Sequence, residues 1–508
     1  MKNSRTYYVK RNIWYGGINK TVTLLLPFLT RTILIQKLGA EYLGLGSLFS
    51  SILQVLNMTE LGFSSAVTFK LYKPVAEHDT QKVCALMALY RNIYKAVGIG
   101  ILVIGLMLMP FLPYLIHGSY PKDINIYGLY FIYLLNTSIS YLLFAYKNVL
   151  LSVDQRQDIL SNLDTVLITL KSIIQIAVLA AVQNYALYII WNLFYSVAYN
   201  LAVACITKKK YPEYICRGKL SGNELRAIFI QIKGLAVGKI SQVSRTSFDN
   251  IILSAFCGLT DVAVYGNYYY ILSAVLGFLT IIIQAMTASV GNSVATESKD
   301  KNYADFMRFN FYFNWLGSWC AICLLCLYQP FMRLWAGEKL TAPFYSAVLF
   351  SIFFYISQTG QIRSVYTSAS GIWWEFRYLA VGEMICNIVL NFGLGYIFGM
   401  NGIVTATILT VTLFSIIGVG KKTINIYFKR GCAPYFRAMG AYALVTAAAG
   451  FVTYKACAEI KADGVSAVIL RMLACIILPN VILSAAAVSN KKTRSYLKQI
   501  RSILFVEQ

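Results

Sequence analysis

Ten basic side chains fall inside long apolar stretches of this sequence or at their ends: Lys20, Arg31, Arg91, Lys95, Lys171, Lys233, Lys239, Arg245, Arg363 and Arg471. A charge at the centre of a bilayer costs about 2.5–3.5 kcal/mol on insertion scales, so such residues face a partner or a hydrated cavity, or snorkel to an interface. Arg91, Lys95 and Arg471 sit where snorkelling suffices. Lys20, Arg31, Lys233, Lys239, Arg245 and Arg363 are read as lining a cavity. Lys20 and Arg31 are eleven residues apart, close to three helical turns, and therefore share a face. Acidic residues at comparable positions are fewer, chiefly Asp164, Asp249 and Glu383. They are candidates for ion pairing or for ion coupling, with Arg245–Asp249 (i,i+4) and Asp164–Lys171 (i,i+7) as the expected pairs. A cavity with more bases than acids suits an anionic cargo. Ammonium and guanidinium groups give charge-assisted hydrogen bonds to phosphate or pyrophosphate oxygens. Gln358, Gln361, Arg363, Ser364 and Thr367 make one further span unusually polar and fit it to meet sugar hydroxyls. The run Tyr268–Tyr270 is read as packing or an interfacial belt.

Other chemistries find little support. Cys320, Cys323 and Cys326 have CxxCxxC spacing, but they lie within an apolar run, where cysteine behaves as a small hydrophobe. With His78 and His117 the only histidines, neither a metal nor a cofactor is expected. GVGKKT at 418–423 lacks the spacing of a phosphate loop. No hydrolase triad or zinc HExxH pattern is present, so the chain reads as a non-enzyme.

The elements that position these charges follow from composition. The 508 residues are 58% hydrophobic and only 13% charged, with a mean hydropathy of +0.60. A soluble domain carries about a quarter charged residues. In hydrocarbon the backbone must bond to itself, and runs of about 20 apolar residues without strand alternation make helices. The expectation is an all-α integral membrane protein with about fourteen spans. The net charge of +24 reflects basic loops rather than nucleic-acid binding. Placing both termini in the cytoplasm leaves only Lys37, Lys122, Arg333, Lys339, Lys455 and Lys461 on outer loops, as the positive-inside rule requires.

The domain reading is an N-terminal lobe over 1–206, a cytoplasmic linker over 207–226, a C-terminal lobe over 227–430, two more spans over 431–488, and a cytoplasmic tail over 489–508. An internal repeat supports two six-span lobes. A displacement of 219 residues sets Lys20 on Lys239, Arg31 on Asn250 and Gly39 on Gly258. Repeated bundles around a midplane site are a transporter architecture.

Three segments carry a family resemblance. RTILIQKLGAEYLGLGSLFSSILQVLNMTELGFSSAVTFKLYKPVAEHDTQKV (Arg31–Val83) resembles the first helices and first cytoplasmic loop of bacterial Wzx-type polysaccharide repeat-unit flippases. FDNIILSAFCGLTDVAVYGNYY (Phe248–Tyr269) and NIVLNFGLGYIFGMNGIVTAT (Asn387–Thr407) resemble that family's seventh-to-eighth and eleventh-to-twelfth helix passages. The family belongs to the multidrug/oligosaccharidyl-lipid/polysaccharide transporter superfamily. The resemblance implies two six-helix lobes around a central cavity plus two helices. It also implies alternating-access export of an undecaprenyl-pyrophosphate-linked oligosaccharide across the bacterial inner membrane, for capsule or exopolysaccharide. The implied partners are the lipid-linked substrate, membrane lipids, and polysaccharide polymerase and export proteins. Basic residues on the first and seventh helices then face the cavity, which by position are Lys20 and Arg31, then Lys233, Lys239 and Arg245. A cation-coupled multidrug exporter of the same fold is the alternative, and it would rely on Asp164, Asp249 and Glu383.

Overall fold

The computed structural model describes residues 5–60, 63–118, 120–462 and 464–504. The side chains of Lys233 and Lys239 fall outside what is described. The described residues are helical throughout, without a strand. The helices are α1 Arg5–Lys37, α2 Ala40–Leu56, α3 Phe63–Ala76, α4 Thr80–Leu108, α5 Ile126–Leu142, α6 Asn148–Val153, α7 Gln157–Ala181, α8 Tyr185–Lys210 and α9 Gly222–Phe256. They continue as α10 Leu259–Thr296, α11 Lys299–Ala336, α12 Phe344–Thr359, α13 Gln361–Ser370, α14 Arg377–Thr410, α15 Gly420–Ile426, α16 Ala433–Ala458, α17 Gly464–Ser489 and α18 Lys491–Leu504.

Local chemistry fixes the ends. Asp79, Asn125, Asn184, Ser221 and Ser298 accept hydrogen bonds from backbone N–H groups in the first turns of α4, α5, α8, α9 and α11. The repeat seen in sequence reappears as backbone geometry. α1 ends where Gly39 (φ 103°) donates to the Leu34 carbonyl at 3.3 Å, and α9 ends where Gly258 (φ 96°) donates to the Leu253 carbonyl at 3.2 Å. Both glycines sit in the left-handed region that a Cβ disfavours, and each is followed at once by the next helix.

Among the described residues, nine helices are long and apolar enough to cross a membrane, or ten if the bent pair Ile126–Leu142 and Ala145–Val153 forms one span. The remaining spans escape a hydropathy test for visible reasons. α9 carries Lys233, Lys239, Arg245 and Asp249; α2 has only 17 residues; α12 has 16 and runs into the polar α13. The apolar stretch Trp374–Ile426 is a hairpin, because Gly399 (φ 56°, ψ −136°) breaks α14. Gly402 lies so close to the Leu394 carbonyl that a Cβ would collide with it. The chain is an all-helical, multi-pass membrane protein.

Two compact units divide it, Met1–Ala263 and Val264–Gln508. In the first, α1 lies along α7, and α2 along α9, around a core that includes Leu45, Phe49, Tyr130 and Leu134. The segment 207–226 is tied to this unit. Lys210 reaches Asp154 at 2.7 Å and Lys82 reaches Glu224 at 2.9 Å. Tyr211, Tyr214, Cys216 and Leu220 pack on the core of Val83, Met87 and Tyr146. In the second unit, α11 is the central post, packed by α12, α16 and α17.

Candidate functional site

α1 and α7 share a polar seam. At its start, Asn12 donates to the Gln155 carbonyl at 2.9 Å and accepts from the Asp158 N–H at 2.8 Å. Asp158, fully buried, is held by Arg11 at 2.8 Å and Arg156 at 3.0 Å. Two turns along α1, the Asn19 amide donates to Asp164 at 2.8 Å and to Thr165 Oγ1 at 3.1 Å. The Tyr195 hydroxyl of α8 donates to the same carboxylate. The expected Asp164–Lys171 pair does not form as a direct contact. Lys171 Nζ instead stands 5.0 Å over the Tyr195 ring, so the tyrosine separates the two charges. Lys20, next to Asn19, is half-buried and has no carboxylate at ion-pair distance among the described residues.

Arg31 occupies a second polar neighbourhood in the same unit. It is half-buried, within electrostatic reach of the Tyr185 and Tyr188 phenols of α8. Tyr185 meets Tyr133 hydroxyl to hydroxyl at 3.0 Å. Gly46 of α2 admits this pair, since a Cβ there would lie 2.5 Å and 2.7 Å from the two hydroxyls. Sequence reasoning missed these tyrosines, because 37 tyrosines scattered along apolar runs give no spacing signal.

α9 carries four of the sequence candidates. Lys233 and Lys239 lie outside the described side chains. Arg245 is half-buried, while Asp249 is 2% exposed. One face of the helix is stitched to α2 by Ser247 Oγ to Gln54 Oε1 at 3.0 Å and Asn250 Nδ2 to Ser51 Oγ at 2.9 Å. The His117 N–H reaches the Ser254 carbonyl at 2.9 Å.

The candidates of the second unit divide in character. Arg363, 4% exposed, donates to Ser415 Oγ at 3.2 Å and to the Ile416 carbonyl at 3.5 Å. Both acceptors belong to Val411–Val419, wound as a π-helix, which leaves carbonyls available to a buried donor. Gly360 makes room for the guanidinium, since a Cβ would come within 2.8 Å of it. Glu383 begins a ladder at i, i+4 and i+8 with Asn387 and Asn391, all buried on α14. Asn387 Nδ2 donates to Thr407 Oγ1 at 3.2 Å and Thr410 Oγ1 at 3.3 Å, and Asn391 Nδ2 donates to Asn387 Oδ1 at 3.3 Å. The amides were visible in the sequence as a period-four row; the hydroxyls became partners only once Gly399 folded the hairpin. Tyr268, fully buried, is core, stacked on Phe350 and tilted against Tyr328.

Arranged this way, Asp164 in the first unit is held by an amide and a phenol, and Glu383 in the second shares a buried row of α14 with Asn387 and Asn391. The cations concentrate on α1 and α9. No protein-family model and no curated protein matches the sequence. Solved structures do match it. An inward-facing multidrug resistance MATE family transporter of the MOP superfamily aligns with a TM-score of 0.62 at 13% identity, covering 80% of this chain and 96% of that one. The lipid II flippase MurJ in an inward closed conformation aligns at 0.62 with 15% identity, covering 93% and 98%. VcmN, a Vibrio cholerae MATE transporter, aligns at 0.53 with 14% identity, covering 84% and 99%. At such identities the likeness is one of architecture, and the chain has the helical fold that MATE transporters of the MOP superfamily share with the flippase MurJ.

Proposed function

We propose that this protein is a flippase. It moves an undecaprenyl-pyrophosphate-linked oligosaccharide repeat unit from the cytoplasmic to the outer leaflet of a bacterial inner membrane, by alternating access, for surface polysaccharide export. The observation that carries this reading is the excess of cations inside the apolar stretches of α1 and α9: Lys20, Arg31, Lys233, Lys239 and Arg245, against Asp249. In this scheme they attract and orient the pyrophosphate in a wet cavity. Positive potential there lowers the barrier to bringing a multiply charged head group through a low-dielectric layer. Arg363 acts at one remove, fixing the polar turn of α13 to the π-helix. Asp164 and Glu383 are the coupling candidates, because a carboxylate among neutral donors responds to a proton or a small cation. Polymerase and export proteins would receive the flipped unit, and both termini would stay cytoplasmic.

The reading is tested by depletion. Sugar-loaded lipid should accumulate on the cytoplasmic leaflet, measured by its inaccessibility to an outside probe. The two carboxylate clusters also favour a second reading, cation-coupled export of small molecules. On that reading depletion leaves the lipid pool unchanged and sensitises cells to cationic dyes.

A further inference from the structure

Three thiols from three different helices converge in the second unit. Cys326 of α11, Cys457 of α16 and Cys475 of α17 are 5%, 3% and 0% exposed, and their sulfurs all lie within 4.8 Å of one another. Cys457 and Cys475 are 4.0 Å apart, sulfur to sulfur. The first two members of the sequence triplet, Cys320 and Cys323, are not in this group. The cluster is built from residues 131 and 18 positions apart in the chain, so no local motif could announce it.

The geometry points to a three-thiolate site for a soft monovalent d10 cation, Cu(I). Three sulfurs around one ion at a metal–sulfur distance of about 2.3 Å stand about 4.0 Å from each other in a plane. The Cys457–Cys475 pair already has that separation. Thiolate-only coordination selects soft metals. A structural zinc site takes four ligands, and no fourth His, Cys, Asp or Glu joins this group among the described residues. Copper(I) accepts three.

The surroundings suit the charge that results. One Cu(I) displaces three protons from three thiols and leaves a complex of net charge −2. Arg471 donates from Nε to the Cys457 carbonyl at 3.1 Å, and both Arg471 and Arg333 line a cavity of about 510 Å³ whose wall includes Cys326 and Cys457. That cavity provides an entry for the ion, an exit for the protons and two cations beside the site, although Arg333 also pairs with Glu338 at 3.3 Å. A side-chain bond anchors Cys475, since the Trp319 indole Nε1 donates to its carbonyl at 2.9 Å. Bound metal would clamp α16 and α17 to α11. The site is independent of the transport reading.

The test uses the full-length reduced protein in detergent, titrated anaerobically with Cu(I) against a chromophoric chelator. One ion should bind per chain, X-ray absorption should report three sulfur neighbours, and thermal unfolding should move upward, because a ligand that binds only the folded state stabilises it. Cys326→Ser, Cys457→Ser and Cys475→Ser should each weaken binding by a hundredfold or more, whereas Cys320→Ser should leave it unchanged. Cys→Ala versions, checked for monodispersity, separate ligand loss from misfolding. Failure of the folded wild-type protein to compete for Cu(I), equal binding by the triple variant, or tight binding of Zn(II) in its place would each overturn the site.

Discussion

Two carboxylates stand six residues apart on α7 and live in opposite circumstances. Asp158 lies between Arg11 and Arg156 at 2.8 Å and 3.0 Å and is fully buried. Asp164 receives an amide and a phenol, with no cation at ion-pair distance among the described residues. A carboxylate with two guanidiniums stays ionised, and its task is to hold α1 and the start of α7 together. A carboxylate held only by neutral donors has no counter-charge committed to it. Cations divide in the same way. Arg363 is bound to Ser415 and the Ile416 carbonyl within its own unit. Lys20 has no carboxylate beside it among the described residues. On the proposed reading, burial does not tell a functional charge from a structural one; the absence of a committed counter-charge does.

The largest effect expected from this contrast is at the cations of α1 and α9. Lys20→Glu, Arg31→Glu, Lys239→Glu and Arg245→Glu should each abolish translocation at normal membrane abundance. Gln variants should weaken it, and Lys20→Arg and Lys239→Arg should retain most of it, because the essential quantity is positive potential. Abundance is read from a fluorescent fusion and translocation from the leaflet distribution of sugar-loaded lipid. If all four Glu variants insert and translocate normally, the cationic-cavity mechanism fails.

A smaller effect, with opposite signatures, separates the two carboxylates. Asp158→Asn leaves two arginines facing a neutral amide. Breaking a buried ion pair destabilises by on the order of 3 kcal/mol, so the melting temperature and abundance should drop while transport per molecule persists. Asp164→Asn should keep abundance, lose transport tenfold or more, and flatten its dependence on pH or sodium. Should Asp158→Asn retain its stability and lose transport, the division drawn between them breaks.

Arg363 tests the committed side in the second unit. Arg363→Met abandons Ser415 and a π-helical carbonyl, and unmade buried hydrogen bonds cost about 1–3 kcal/mol. Ser415→Ala should cost less, about 1 kcal/mol, since the guanidinium keeps the Ile416 carbonyl. Thermal unfolding in detergent reads both. A fully stable Arg363→Met protein that no longer transports would move this arginine into the functional set.

Much of this was legible in the sequence. The all-helical membrane class follows from apolar length and low charge. The repeat pairing Gly39 with Gly258 returned as two matching left-handed helix ends. Glu383, Asn387 and Asn391 form a period-four row that any helical wheel shows. What stayed hidden depends on contacts between helices. The Asp164–Lys171 pair follows from spacing along one helix, but Tyr195 of another helix comes between them. The Cys326–Cys457–Cys475 cluster and the Tyr133–Tyr185 hydroxyl pair need helices that sequence spacing cannot place side by side. The segment 207–226 reads as a linker from its Gly and charge content, and its anchorage through Asp154 and Glu224 is again a matter of partners elsewhere in the chain.

The smallest expected effect tests that anchorage. Ser221 and Glu224 form a capping box at the start of α9, and Glu224 also meets Lys82 at 2.9 Å with both side chains well exposed. The hydrogen bond from Lys82, reinforced by that from Ser221, holds the Glu224 carboxyl below its ordinary range. A carboxyl depressed in the folded state contributes stability above its unfolded value, and that contribution is lost as pH falls through the folded value. Between pH 6 and 8, wild type and Glu224→Gln should therefore keep a constant and very small difference, because Gln preserves the capping box and exposed pairs contribute little. Salt should erase it, and so should acid once the pH falls through the depressed folded value. Ser221→Ala, which removes the cap that donor geometry requires, should cost more, about 1 kcal/mol. A loss at Glu224→Gln that equals or exceeds the loss at Ser221→Ala, and that survives high salt, would show the Lys82 contact to be a committed structural pair like Asp158 with its arginines.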